Sequence, residues 1–463
     1  MLLVAGLDLG GSSVKAWAQQ LGGSVLASTT VPTVTDRQGF RAEFDAAAWE
    51  AACRDALWAV TQDLAGEWLG LTVSSLRQGF VLLDGSGEVL GPGVLNSDRR
   101  GAAYAHVLEG QHALTGHWPA PELTLPKLLA IKAEEPDRWA GTVRVLFLHD
   151  WLVYAMTGEQ VTETSYACAG GMADVARRDW AHDLLEACGI GAGLLAPVVE
   201  AGTVVGSLQP GWALPAGLPV VSGCGDTQLA AMGAGGLTNA VVTVVAGSST
   251  PVLAATHTPV TDPLGRPWIS THAAPDLWAV EGNAGYPGSF CGWWAGIADA
   301  PMADDPGGVV AVTAVELWSQ PTWEIKPPWS LLHLSPATTP GQVRRALLEA
   351  HAFSVAAGVG DLARLLGPAS HVVVTGGAAK DGDLPALLAT VLGHEVLWDR
   401  EPSGAAAGTA LVARATDAVR ADTGEHTPRL PRTHCPAGDP ASLGDRRAQW
   451  THAVAALRAV APS

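Results

Sequence analysis

Gly6-Leu7-Asp8-Leu9-Gly10-Gly11-Ser12-Ser13-Val14-Lys15 is the stretch that decides the fold. An apolar run, Leu2-Leu3-Val4-Ala5, leads into it, and Val14-Lys15-Ala16-Trp17-Ala18 leads away. That is the form of a buried strand, a tight turn and a returning strand. The small residues of such a turn leave backbone N–H groups unshielded, and unshielded N–H groups grip phosphate oxygens. The same design recurs at Val244-Val245-Ala246-Gly247-Ser248-Ser249-Thr250 and at Val372-Val373-Val374-Thr375-Gly376-Gly377-Ala378-Ala379-Lys380. A fourth turn, Gly223-Cys224-Gly225-Asp226, adds a carboxylate. Together they imply a site that holds a nucleotide and acts on its terminal phosphate.

Working outward, residues 2–9, 14–20 and 24–31 form three consecutive strand patterns joined by turns at Gly10–Ser13 and Leu21–Gly23. A helix is expected over 46–68, from the spacing of Leu57, Val60, Leu64 and Trp68. A strand pair follows, 70–73 and 80–83, with a turn at 84–87. Later, strands at 240–245 and 252–255 flank the Gly247–Thr250 turn, which repeats the Gly-Ser-Ser of 11–13. A helix over 343–366, a strand at 371–374 and a helix over 384–392 come next. The chain therefore divides into two halves of related plan, 1–234 and 235–463, and a duplication of that kind implies a ligand cleft between them. The tail after Thr423 is expected to be a peripheral cap ending in a helix over 445–460.

The 463 residues exceed one ordinary core. Hydrophobic residues make up 48% and charged residues 16%, the balance of a compact soluble protein. The net charge of −18 argues against nucleic acid or an anionic membrane as partner. It also requires any phosphate site to be built locally, from backbone dipoles, Lys, Arg or a metal ion. The six cysteines form no Cys-x-x-Cys pair, and no basic segment leads into an apolar signal region, so a reduced cytoplasmic setting is expected. Residues 227–261 carry no Asp, Glu, Lys or Arg. Their glycines and threonines fit two buried strands better than a membrane span.

These turns lie within a longer set of matches. The chain resembles the FGGY carbohydrate kinases, nearest the xylulokinase-like branch, within the actin/hexokinase/Hsp70 superfamily. The resemblance rests on residues 6–15, Gln78 to Asp84, Asp98-Arg99-Arg100, Leu125 to Leu129, His149 to Gly158, Asp174 to Trp180, Pro219 to Asp226, 247–249, Val374 to Lys380 and Gly404 to Ala410. It implies an α/β, ribonuclease H-like fold of two domains around a cleft. It also implies transfer of the γ-phosphoryl group of ATP, with Mg²⁺, to a hydroxyl of a ketose such as D-xylulose.

Residue by residue, Asp226 matches the family's catalytic base; the competing reading is a helix N-cap. Asp8 matches the aspartate that orients the metal through water, against an Asp satisfied by turn N–H groups. Gly10, Gly11, Ser12 and Ser13, with Gly247, Ser248 and Ser249, would contact phosphates, although Gly11, Ser13 and Ser248 depart from the commoner residues. Lys15 is either a phosphate ligand or a solvated strand lysine. Gly376, Gly377, Lys380 and Gly404 match the adenosine site; a strand-to-helix turn needing positive φ is the alternative for the glycine pair. Gln78, Gly79, Asp98 and Arg99 match the acceptor side, where Gln78 stands in place of the histidine typical of xylulokinases. Trp17 and Trp49 are expected in the core and Trp293 and Trp294 at the cleft rim. His106, His112 and His117 are expected on solvated helices. The implied partner is a small-molecule sugar, with a homodimer as one possible assembly. A kinase for another sugar or polyol, and an inactive sugar or nucleotide sensor on the same fold, are the alternatives; an actin-like assembly protein and a dinucleotide oxidoreductase fit less well.

Overall fold

A computed structural model of the chain describes residues 1–247, 249–260, 262, 267–313, 329–400, 403–416 and 432–460. Two large sheets dominate it. The first runs, edge to edge, Val204–Ser207, Pro219–Gly225, Glu67–Ser75, Leu2–Leu9, Ser13–Gln20 and Val25–Pro32. The second runs Trp268–Thr271, Trp278–Asn283, Pro251–Thr256, Val241–Val245, His371–Thr375, Val396–Asp399 and Arg432–Cys435. From Val25–Pro32 inward, the first sheet pairs antiparallel, antiparallel, parallel, parallel, antiparallel. The second repeats that order from Trp278–Asn283 onward. The internal likeness expected from one shared turn is therefore a likeness of whole sheets.

The first strand hairpin forms because apolar side chains fill both faces of Leu2–Leu9, with Leu3, Val4, Ala5, Leu7 and Leu9 fully buried. Gly6 lies opposite Trp17 in the register, and a Cβ there would fall inside the indole. The following helix is Ala46–Thr61, capped by Asp45, whose side chain accepts the Ala48 N–H. It is shorter than the spacing implied. Gly66 packs where a Cβ would lie 2.7 Å from the Met1 carbonyl oxygen, so the chain must turn there, and Glu67 already begins a strand. Phe80–Leu83 does not pair with Glu67–Ser75 as expected. It belongs to a separate five-stranded sheet with Asp36–Gln38, Arg41–Phe44, Gly93–Val94 and Arg144–Phe147.

Pro340–Leu366 is one described helix long and apolar enough to cross a membrane, yet Phe353, Val355 and Leu362 are buried in the second half's core. The C-terminal tail is not peripheral. Arg432–Cys435 closes the second sheet, and Trp450 of the Ala441–Val460 helix is buried against Phe353, ring centroids 5.7 Å apart.

Helix Ser403–Ala415 crosses between the halves. Its Ala407, Ala410, Leu411 and Val412 pack with Val4, Val221, Leu229 and Met232 of the first half. Gly408 permits the approach, since a Cβ there would lie 2.8 Å from the Thr72 methyl. Thr409 Oγ1 donates to Oε1 of the buried Gln19 side chain at 2.9 Å.

Candidate active site

The site is assembled at the carboxyl ends of the parallel strands, where open α/β sheets leave backbone groups free for ligands. Asp8 sits level with Ser74 of the neighbouring parallel strand, whose hydroxyl donates to Asp8 Oδ1 at 3.0 Å. Lys15, its partner across the hairpin, reaches Oδ2 at only 3.9 Å and is 59% exposed, a loose surface pair. The turn between them is closed by the Gly10 N–H donating to the Ser13 carbonyl at 2.9 Å.

Asp226 opens the helix Asp226–Gly233 directly after strand Pro219–Gly225. It stands in the first turn, with Gly225 in the cap position. Oδ1 accepts the Thr227 N–H at 2.8 Å. Oδ2 has no protein donor among the described residues. Burial pushes the carboxyl up to about 6; Arg77 opposes that rise and Asp8 adds to it.

Arg77 is the residue that the sequence did not single out. Its guanidinium makes a two-pronged pair with Glu281, at 2.7 and 2.8 Å, and reaches Thr227 Oγ1 at 3.3 Å. Both partners are almost buried, and the pair joins the first half to strand Trp278–Asn283 of the second. Its side chain crosses Gly225, where a Cβ would meet Arg77 Cδ at 2.8 Å. The bare backbone before Asp226 thus makes room for an arginine rather than for substrate. Residues 77 and 281 are too far apart in sequence for any periodicity to connect them.

The second and third turns meet. The Ala246 N–H donates to the Thr375 carbonyl at 2.7 Å, and the Ala378 N–H returns to the Ala246 carbonyl at 2.8 Å. Gly376 has φ 102°, and a Cβ on it would lie 2.5 Å from Ala246 O, so only glycine fits. Gly377 and Gly404 instead face open space. Lys380 is exposed. The Gly247 N–H turns back to the Ser249 carbonyl at 3.0 Å, while Ser248 lies outside the described residues.

On the acceptor side, Gln78 holds a left-handed φ of 70°, a strained value for a non-glycine residue. Its carbonyl accepts from Lys127 Nζ at 2.8 Å and Thr124 Oγ1 at 3.1 Å. Lys127 is fully buried, also donates to the Leu95 carbonyl at 2.9 Å, and is pushed down to about 7 by burial. Gly79 is needed because a Cβ would strike the Leu148 side chain at 2.0 Å.

Asp98 differs from the expectation of a sugar ligand. It is fully buried, and its two oxygens accept from Ala42 N (2.7 Å) and from Arg100 N, Nε and Nη2 (3.0, 2.9 and 2.8 Å). Its carboxylate is already satisfied by the protein. Arg99 is 56% exposed and pairs with Glu122 at 3.1 Å.

His106 is exposed as expected, but His112 and His117 are buried and stack on Trp118 and Trp268. Trp17 and Trp49 are in the core, and Trp293 is 52% exposed on helix Pro287–Ile297. A cavity of about 520 Å³ lined by Arg178, Trp180, His182 and Glu200 contains none of the expected site residues. Among the described residues no three His, Cys, Asp or Glu side chains converge as a metal cage. That suits an ion that arrives with a triphosphate and takes most of its ligands from phosphate and water.

Comparison with known proteins identifies the family. The family profile for the N-terminal domain of the FGGY carbohydrate kinases matches residues 3–233, and the profile for their C-terminal domain matches 242–416. The chain is 27% identical over 458 residues to the xylulose kinase of Escherichia coli K12, covering 93% of this chain and 94% of that one. It is equally 27% identical over 497 residues to the autoinducer-2 kinase of the same strain, with 96% and 92% covered. The crystal structure of xylulose kinase from Rhodospirillum rubrum superimposes with a TM-score of 0.83 at 25% identity, over 98% of this chain and 99% of that one. The fold is the actin/hexokinase-like two-domain α/β architecture, and the chain is a sugar kinase that belongs to the FGGY family of carbohydrate kinases.

Proposed function

We propose that the chain transfers the γ-phosphoryl group of ATP to a hydroxyl of a ketose, D-xylulose being the first acceptor to test, with Asp226 as base. The observation that carries this reading is the Asp226 carboxyl, half-buried at the strand ends, with one oxygen free of protein donors and its affinity for a proton raised. Phosphoryl transfer asks little covalent chemistry of a protein; it asks for alignment, charge neutralisation and a proton acceptor. As the sugar oxygen bonds phosphorus, the bond from phosphorus to the β-bridging oxygen breaks and the hydroxyl proton passes to Asp226. A carboxyl near 6 is ionised at neutral pH and basic enough to take that proton.

Residues 1–234 then carry the acceptor side, the first phosphate turn and the base, and 235–463 the second phosphate turn and the adenosine site. Gly10, Gly11, Ser12 and Ser13 would face the phosphates from one half and Gly247 and Ser249 from the other. The open surface over Gly377 and Gly404 suits a flat nucleoside. Asp8 is the carboxylate placed for magnesium, which when bound neutralises the phosphates and draws electrons from the transferred phosphorus. Gln78, with the strained backbone that Lys127 holds, stands at the acceptor end. Asp98 supports this region through Arg100. We place the enzyme in the cytoplasm, where its six free cysteines stay reduced.

A coupled ADP-release assay tests the reading with D-xylulose, other ketopentoses and ketohexoses, polyols, gluconate and autoinducer-2. Sugar-stimulated ADP that disappears in Asp226→Asn supports it. Absence of stimulation by every acceptor would favour a sensor, and activity with autoinducer-2 alone would replace the ketose.

A further inference from the structure

Strand Pro219–Gly225 does not run straight into Asp226. Its register with Glu67–Ser75 is regular through Ser222 opposite Val73 and resumes at Gly225 opposite Ser75. Two residues, Gly223 and Cys224, therefore stand against one, Ser74: a bulge, which takes the local peptide groups out of the ladder. Buried peptide groups without partners are costly, so something must replace the lost bonds.

The replacement comes from helix Thr164–Ala169. Tyr166 Oη donates to the Cys224 carbonyl at 2.7 Å and accepts the Ser75 N–H at 2.9 Å. Ser165 Oγ accepts the Gly225 N–H at 2.9 Å and donates to Glu163. Glu163, in turn, caps the helix by accepting the Ser165 N–H at 2.9 Å and takes the Thr164 hydroxyl at 3.0 Å. All these side chains are fully buried, and Tyr166 is held flat against His149, ring centroids 4.9 Å apart. None of them touches Asp226, yet they hold both ends of the Cys224–Gly225 peptide group, one residue before it: Tyr166 its carbonyl and Ser165 its N–H. They also fix Ser75, the neighbour of the serine that holds Asp8.

We infer that Ser165 and Tyr166, anchored by Glu163, are positioning residues that set where the Asp226 carboxyl stands relative to Asp8. The inference rests on the proposed role of Asp226 as base. Their hydroxyls substitute for the sheet bonds that the bulge removes, so the base is aimed by side chains from another element rather than by its own strand. An in-line transfer tolerates little misplacement; an error near 1 Å costs on the order of 100-fold.

The test compares Tyr166→Phe and Ser165→Ala, each lacking one hydroxyl, with Ser222→Ala. Ser222 lies on the same strand and is equally buried, and its hydroxyl meets His149 Nε2 and the Gly223 carbonyl, each at 3.3 Å, longer than the bonds that Tyr166 and Ser165 make to the peptide group nearer Asp226. Kinetics and thermal unfolding are measured on the full chain for all three and for Asp226→Asn. The expected result is kcat lowered about tenfold or more by each of the first two, with KM for ATP unchanged within about twofold. Ser222→Ala should lower the melting temperature and keep kcat. The inference is overturned if Tyr166→Phe and Ser165→Ala keep wild-type kcat, or if Ser222→Ala loses as much as they do. Should Tyr166→Phe not fold, Ser165→Ala decides alone. Near-normal turnover in Asp226→Asn would instead remove the base, a separate failure that the first comparison does not produce.

Discussion

Pro219–Gly225 and Val396–Asp399 occupy the same place in their two sheets, and each leads towards a helix, Asp226–Gly233 and Ser403–Ala415. The two helices pack against each other. Each strand also brings an aspartate to its end, but the two carboxyls live differently. Each keeps one oxygen without a hydrogen-bond donor among the described residues, but Asp226 lies in the field of Asp8, which raises its affinity for a proton further. Asp399 is 2% exposed and is bonded by Arg432 Nε at 3.0 Å; burial raises it and Arg432 pulls it back. The strand ahead of Asp226 is bulged and held by side chains of another helix, whereas Val373 and Val374 face Leu397 and Trp398 in plain register. One frame, used twice, thus carries in one copy a carboxyl with no bonded cation among the described residues and in the other a carboxyl bonded to an arginine. The same holds two strands over: aligning the Gly-Ser-Ser triplets puts fully buried Val244 where Asp8 stands. On the proposed reading the first half supplies the chemistry and the second supplies bare backbone.

The sharpest way to break that contrast is to neutralise both carboxyls. Asp226→Asn should lower kcat about 10³-fold with little change in melting temperature. Asp399→Asn should leave kcat near normal and cost about 3 kcal/mol of stability, because it strands the Arg432 charge. Equal loss of turnover in the two variants would end the distinction. Next in size is Gly376→Ala, which forces a methyl onto Ala246 O at a φ of 102° and should cost about 2 kcal/mol. Gly377→Ala, on open space, should be tolerated in denaturant unfolding and show its effect only in nucleotide affinity. A pH series on Arg77→Gln sharpens the electrostatic side. If Asp226 is the base it works ionised, and kcat/KM then climbs as pH rises through about 6. Arg77 lowers that value, so its removal should move the acid limb upward. A limb that stays or moves down would mean Asp226 does not govern it. The smallest effect is expected from Lys15→Ala, within about 0.5 kcal/mol, since its pair with Asp8 is long and exposed.

Local features of the sequence carried the fold far. Strands around the Gly10–Ser13 and Gly247–Thr250 turns lie within a residue or two of where alternation and glycine place them, because both signals act between near neighbours. The site itself was partly legible for the same reason: Asp8 and Asp226 end strands whose apolar runs announce them. What stayed hidden depends on distant contacts. The first helix stops at Thr61, and the chain beyond it is tied to a distant residue, the Glu67 N–H donating to the Met1 carbonyl at 2.9 Å. Phe80–Leu83 joins a different sheet because its partners come from residues 36–44, 93–94 and 144–147. His112 and His117 look soluble in a polar stretch and are buried only because strand Trp268–Thr271 packs over them, with the Ile269 N–H donating to the Gly116 carbonyl at 2.9 Å. The Arg77–Glu281 pair and the Tyr166 latch are likewise invisible one segment at a time.

The crossing of helix Ser403–Ala415 onto the first sheet means that the symmetry of the chain is not a seam. Cut near residue 234, the leading piece would present Val4, Val221, Leu229 and Met232 to water as a sticky strip. Shuffling or complementation of such halves must carry the 403–415 segment along with its host. The two like sheets are interlocked rather than separable.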